Sequence, residues 1–201
     1  MLHRFVSGLV CLAVLSAPAA AMPVAYSALL TGPNESPVNA SPGTGNALVT
    51  IDAAAHTMMV QVSFQNLTAG TTASHIHVIN GPADANTSDT LGPVATTTPT
   101  FTGFPGGVTS GLYANPFDMG LSGSYQSAFL AAAGGIAAAE SALFLAIADG
   151  RAYLNIHTTA FPGGEIRGFL QPVAVAEPAT LLLMGAGFGG LAWMRRRRHV
   201  A

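Results

Sequence analysis

The sequence predicts a mainly β, antiparallel sandwich with a short helical insertion, plus a C-terminal hydrophobic helix. Three observations carry this. Short stretches alternate apolar and polar residues with period two, clusters of Gly, Pro, Asn and Asp punctuate them, and one alanine-rich segment changes to a helical period. The chain divides into residues 1–21, 22–175 and 176–201.

In chain order, 25–30 reads as a strand and is followed by the turn-rich Thr31-Gly32-Pro33-Asn34-Glu35-Ser36-Pro37. The stretches 46–51 and 58–64 read as two strands joined near 52–57, with Leu48, Met58, Val60, Val62 and Phe64 on one apolar face. Residues 75–79 form a further strand, and 153–157 and 166–170 pair as a hairpin around Phe161-Pro162-Gly163-Gly164. The Thr-, Pro- and Gly-rich stretch 81–111 reads as long loops with at most one edge strand. Two short helices, 124–133 and 136–148, split by Gly134-Gly135, cover one end of the sandwich, with Leu143, Phe144 and Ile147 at helical spacing.

The ends read as addresses. Residues 1–21 carry Arg4, an apolar run from Phe5 to Leu15 and the small residues Ala19-Ala20-Ala21, the layout of a secretory signal peptide cut by a signal peptidase. The run is too short to span about 30 Å of hydrocarbon. The single cysteine, Cys11, lies in this segment, so the exported body has no thiol for disulfide, redox or thiolate-zinc chemistry. At the other end, Glu177-Pro178 precedes an uncharged apolar stretch, 179–194, and the cluster Arg195, Arg196, Arg197 and Arg198. Sixteen helical residues reach only about 24 Å, a short inner-membrane stop held by positive charge. The glycines Gly185, Gly187 and Gly190 match G-x-G-x-x-G, but neither the strand before them nor the acidic residue after them that a dinucleotide site requires is present. They read as small residues of a membrane helix.

This tail resembles the PEP-CTERM sorting signal of Gram-negative bacteria, with Ala176 in place of the first proline of its motif. The resemblance implies recognition by an exosortase-type enzyme, transient anchoring in the inner membrane, loss of the tail, and delivery to the cell surface or an exopolysaccharide matrix.

Charge supports the division. The chain has no lysine, and between the addresses two arginines, Arg151 and Arg167, face eight acids, a formal charge of −6. Such a body cannot supply a row of phosphate contacts, which excludes nucleic acid as a partner. Four Asn-x-Ser/Thr triplets, at Asn34, Asn39, Asn66 and Asn86, read as polar turn residues.

The chemistry concentrates in His75-Ile76-His77 and in His157. In a strand, residues i and i+2 point the same way about 6.6 Å apart. A third imidazole from a neighbouring strand completes a ligand set suited to Zn or Cu. The other reading is that these rings hydrogen-bond loop carbonyls and pin the long connections. His56, in the 52–57 turn, reads as surface. In the turn motif, Pro162, Gly163 and Gly164 allow a tight reversal, and Glu165 and Arg167 then share one strand face. They can pair with each other or across the sheet, and an exposed pair contributes at most about 1 kcal/mol.

Taken with Leu29-Leu30-Thr31-Gly32, Glu35-Ser36-Pro37 and Gly43-Thr44-Gly45-Asn46-Ala47, the motifs His75-Ile76-His77, Tyr153-Leu154-Asn155-Ile156-His157-Thr158 and Phe161-Pro162-Gly163-Gly164-Glu165-Ile166-Arg167-Gly168 are similar to the CHRD domain, named after chordin. Two positions depart from it: Phe169 stands where glutamine is usual, and Asn80-Gly81-Pro82 replaces a glycine-proline step. The resemblance spans about 25–173 and implies an extracellular, immunoglobulin-like, Greek-key β-sandwich with no known catalytic activity. The H-x-H strand is also loosely similar to the copper-ligand strand of Cu/Zn superoxide dismutases, whose zinc loop, arginine and disulfide have no counterpart here. The leading expectation is a non-enzymatic surface or matrix module that binds polysaccharide or a surface protein. The second is a histidine-coordinated Cu or Zn protein.

Overall fold

The structure is a computed structural model that describes residues 22–79 and 91–174. The signal-peptide expectation, the C-terminal helix, and Glu177, Pro178 and Arg195 to Arg198 lie outside the described residues. The elements are β1 (Val24–Thr31), β2 (Thr44–Asp52), β3 (Thr57–Gln65), β4 (Thr71–Val78), β5 (Gly111–Asp118), α1 (Ser127–Ala133), α2 (Ile136–Ala148), β6 (Ala152–Thr158), β7 (Ile166–Phe169) and β8 (Gln171–Pro172).

Mainly antiparallel β structure with two short helices is therefore present. The strands do not form two separate sheets. They make one sheet in the order β4-β6-β7-β1-β2-β3-β5, with β8 added to β1. A single residue pair, Thr31 with Arg167, joins β7 to β1. The sheet curls about this seam, so that Leu30, Val49 and Val60 of one wing share a core with Ile76, Leu154, Ile156 and Ile166 of the other. Each such side chain, fully buried, stabilises the fold by about 1.5–3 kcal/mol.

The β2–β3 register corrects one expectation. Ala47, Val49 and Ile51 pair with Val62, Val60 and Met58 and are buried. Leu48 lies opposite Gln61 on the outer face, 37% exposed. The alternation is real, but Leu48 belongs to its other phase. That outer face of β1, β2, β3 and β5 carries a trough of about 750 Å³ whose lining includes no carboxylate, arginine or histidine.

β5 has no counterpart among the expected strands. Pro116 sits in its middle, opposite Met59, and a proline lacks the N–H that an interior strand needs. β5 tolerates it because it pairs on one side only. At the opposite edge, β4 is covered by the loop after residue 91. Ala95 N–H donates to the Ile76 carbonyl, Thr96 Oγ1 accepts from Ile76 N–H, and Phe101 N–H donates to the Ser74 carbonyl. This loop takes the place of an edge strand, with two isolated bridges.

The first helix begins later than expected, and the second spans the expected residues. Gln126 accepts from Phe129 N–H and caps α1 at Ser127, while 122–124 is a 3-10 turn. α2 buries Leu143 and Ile147 and packs on β4, β6 and β8. His56 is exposed, as expected, yet tethered: its Nδ1 lies 2.9 Å from the Glu140 carboxylate, tying the β2–β3 turn to α2. Among the described residues no single helix is long and apolar enough to cross a membrane.

The seam has a strict steric requirement. A Cβ on Gly168 would come within 2.3 Å of the Leu29 carbonyl oxygen, a backbone atom that cannot turn aside. Gly168→Ala should lower unfolding free energy by at least the ~1–3 kcal/mol typical of overpacking, measured by urea denaturation. A change within error would contradict the close approach of the two wings.

Candidate metal centre

β4 and β6 are antiparallel neighbours in which His75 pairs with Asn155, His77 with Tyr153 and Ala73 with His157. Paired residues share a face, and the pleat returns every second residue to it. One face therefore carries Ile76, Leu154 and Ile156 into the core. The other carries His75, His77, Tyr153, Asn155 and His157, and through the β6–β7 register Arg167 and Phe169 as well. Loops cover this second face, so β6 is buried along nearly its whole length.

The three rings converge. Their centroids lie 5.7 Å (His75–His77), 5.4 Å (His75–His157) and 6.2 Å (His77–His157) apart. One nitrogen from each lies within 4.8 Å of the others. Zn–N and similar bonds of about 2.0–2.1 Å need nitrogens about 3.4 Å apart, so modest side-chain movement would close the set on one ion.

The remaining nitrogens are engaged. His75 Nε2 donates to the Pro99 carbonyl at 2.7 Å, His77 Nδ1 to Gly92 at 2.8 Å and His157 Nδ1 to Pro162 at 2.9 Å. A carbonyl can only accept, so each bond fixes the tautomer and leaves the opposite nitrogen with its lone pair. Those opposite atoms, His75 Nδ1, His77 Nε2 and His157 Nε2, are buried and without a hydrogen-bond partner. Buried polar atoms are rarely left so, and one such nitrogen on each of three converging rings is what a ligand set requires. The two readings of the histidines thus describe two ends of the same rings.

Burial depresses the proton affinity of all three. It pushes His77 down to about 4, helped by the neighbouring rings and Arg167 and opposed by the Gly92 bond. It lowers His75 and His157 too, against their carbonyl bonds. Neutral imidazoles bind a metal without first losing a proton.

The turn motif stands behind this set, and its two charges are not the weak, exposed kind of pair. Glu165 and Arg167 are both fully buried. Glu165 accepts from Ser41 Oγ at 2.6 Å, Thr158 Oγ1 at 2.5 Å and Thr68 N–H at 2.5 Å. These bonds outweigh burial and hold its proton affinity below the usual carboxylate range. They also anchor the turn whose Pro162 carbonyl orients His157. Gly164 is required there: its φ is +134°, and a Cβ would meet the Glu35 carboxylate at 2.6 Å.

Arg167 binds the Asn34 carbonyl through Nε, lies 3.8 Å from Glu35 and stacks 4.7 Å above the Tyr153 ring. Tyr153 in turn stacks on His77 at 4.9 Å and 9°. Burial pushes the Glu35 carboxyl up to about 7 despite Arg167. Sequence reasoning did not single out Glu35, Asn155, Tyr153 or Gly92 as parts of the site. Tyr153 and Asn155 had a usable signal, since both alternate with His157 along one strand.

The fold and site define an antiparallel, sandwich-like β domain with a buried three-histidine cage on one outer face. The chain belongs to the CHRD domain family, whose family model matches residues 26–170. No curated protein and no solved structure matches the chain.

The neutral rings set a sign for acid stability. Unfolded imidazoles titrate near 6.5 and the folded ones lower, so below that pH the unfolded state binds more protons. Stability from these rings is fully present above pH 6.5 and is lost as pH falls toward 4. Urea denaturation of metal-free protein should show a loss on the order of 3 kcal/mol from His77 alone across this window, because each tenfold change in proton affinity is worth ~1.4 kcal/mol. The loss should be smaller in His77→Phe, and an unchanged slope in that variant would contradict a neutral buried His77.

Proposed function

We propose that this is an exported CHRD-domain protein that binds one transition-metal ion, Cu or Zn, through His75, His77 and His157, and serves as a binding module at the cell surface or in the extracellular matrix. The observation that carries the reading is a set of three imidazoles that bring one nitrogen each within 4.8 Å of the others, each ring keeping one buried, unpartnered nitrogen and held by a carbonyl at its other nitrogen. Three neutral imidazoles are a borderline donor set that suits copper and zinc better than the hard ions calcium and magnesium. Enclosure of the nitrogens favours retention of an ion over turnover of a substrate, in keeping with a non-enzymatic role. The curled, sandwich-like sheet suits the immunoglobulin-like architecture that the family resemblance implies.

Purified, metal-stripped protein reloaded with Cu or Zn should retain about one ion per chain, and His75→Ala/His77→Ala should retain none, as read by elemental analysis. Binding should raise the unfolding free energy by about 2.7 kcal/mol at a free-ion concentration ~100 times Kd. Equal metal in the double variant would refute the assignment.

Export and sorting make up the second part of the reading. Residues 1–21 would be removed by signal peptidase, and the tail around Glu177 and Pro178 recognised by an exosortase-type enzyme after transient inner-membrane anchoring. The acidic body is then released among extracellular polysaccharide or surface proteins, its proposed partners. Intact mass of surface-released protein should show both segments missing. Retention of Arg195 to Arg198 in that pool would refute processing.

A further inference from the structure

The identity of the ion rests on the metal-binding reading above. We propose that the cage selects monovalent copper over divalent zinc, because every donor that the described residues offer it is neutral and the charge packed behind it is positive. The donors among the described residues are the three imidazole nitrogens and, on the same strand face, the Asn155 amide oxygen. Asn155 lies opposite His75 in register, is 2% exposed, and its Oδ1 is buried without a partner. Behind His77 stand Tyr153 and then the Arg167 guanidinium. Of the nearby carboxylates, Glu165 accepts from Ser41, Thr68 and Thr158 and Glu35 lies 3.8 Å from Arg167; neither belongs to the group of ligand atoms that lie within 4.8 Å of one another.

Charge and coordination number then decide. The cost of burying an ion grows as the square of its charge, so a dication costs about four times a monocation of similar size unless an anion accompanies it. Zinc normally meets this with a fourth ligand, a thiolate, a carboxylate or a water acidified toward hydroxide. The described residues supply no anionic ligand, and the three nitrogens are closed to solvent. Monovalent copper needs no compensating anion and is satisfied by three ligands. Softness alone would not separate the two, since imidazole suits both metals.

The test uses the full chain, metal-stripped and titrated separately with Zn(II) and, anaerobically under ascorbate, with Cu(I), each in competition with a colorimetric chelator of known affinity. The expected result is one Cu(I) per chain, bound at least 100-fold more tightly than Zn(II). Asn155→Asp, which places a carboxylate on the same face, should move the ratio toward zinc by at least tenfold. Should that variant not fold, as judged by circular dichroism, the wild-type competition decides alone. Zinc bound as tightly as Cu(I) or more tightly, or an unchanged ratio in folded Asn155→Asp, would overturn the selectivity while leaving the metal site standing. Binding of neither ion above the His75→Ala/His77→Ala background would overturn the metal-binding reading itself.

Discussion

Three imidazole N–H groups donating to three loop carbonyls are the contacts on which the rest of the site depends. The carbonyls come from different parts of the chain: Gly92 and Pro99 from the loop covering β4, and Pro162 from the β6–β7 turn. Each bond has two effects. It pins a connection with little regular structure of its own, and it turns a ring so that its lone pair faces the other two. Without them the outer face of β4, β6 and β7 would be a wet surface bearing scattered histidines. With them it becomes a second buried layer, polar and aromatic, back to back with the apolar core.

That layer contains charges a small domain can bury only if they are well satisfied. Removing one partner from a buried charge costs about 3–5 kcal/mol, far more than the pair contributes net. Glu165 meets the requirement with two hydroxyls and a backbone N–H, and Arg167 with a carbonyl, a carboxylate and aromatic faces. Both charges sit in one six-residue stretch with Pro162, so the turn that orients His157 and the stack that backs His77 are placed by the same segment. The arrangement favours a fixed geometry at the histidine cage over stability for its own sake.

Much of this is legible in the sequence. Period-two alternation locates β1, β2, β3, β4, β6 and β7 to within a few residues, because those strands present one face to the core, and H-x-H with His157 identifies the triad. Three things are not legible. Leu48 reads onto the wrong face, since alternation in Ala47-Leu48-Val49 has two apolar phases and only pairing with β3 chooses between them. β5 is hidden by Pro116, which is tolerated because the strand lies at an edge. The burial of Glu165 and Arg167 depends on residues more than ninety positions away, Ser41, Thr68 and Asn34, which no local pattern connects to the turn.

The central claim is that the cage exists before any ion arrives, as three neutral rings of fixed tautomer. Long-range ¹H–¹⁵N correlation of the histidine rings in metal-free protein near neutral pH tests it most directly. Protonation is expected at Nε2 of His75 and at Nδ1 of His77 and His157, with the unprotonated nitrogen of each ring shifting when metal is added. A charged ring, averaged tautomers, or a reversed tautomer at any of the three would contradict it.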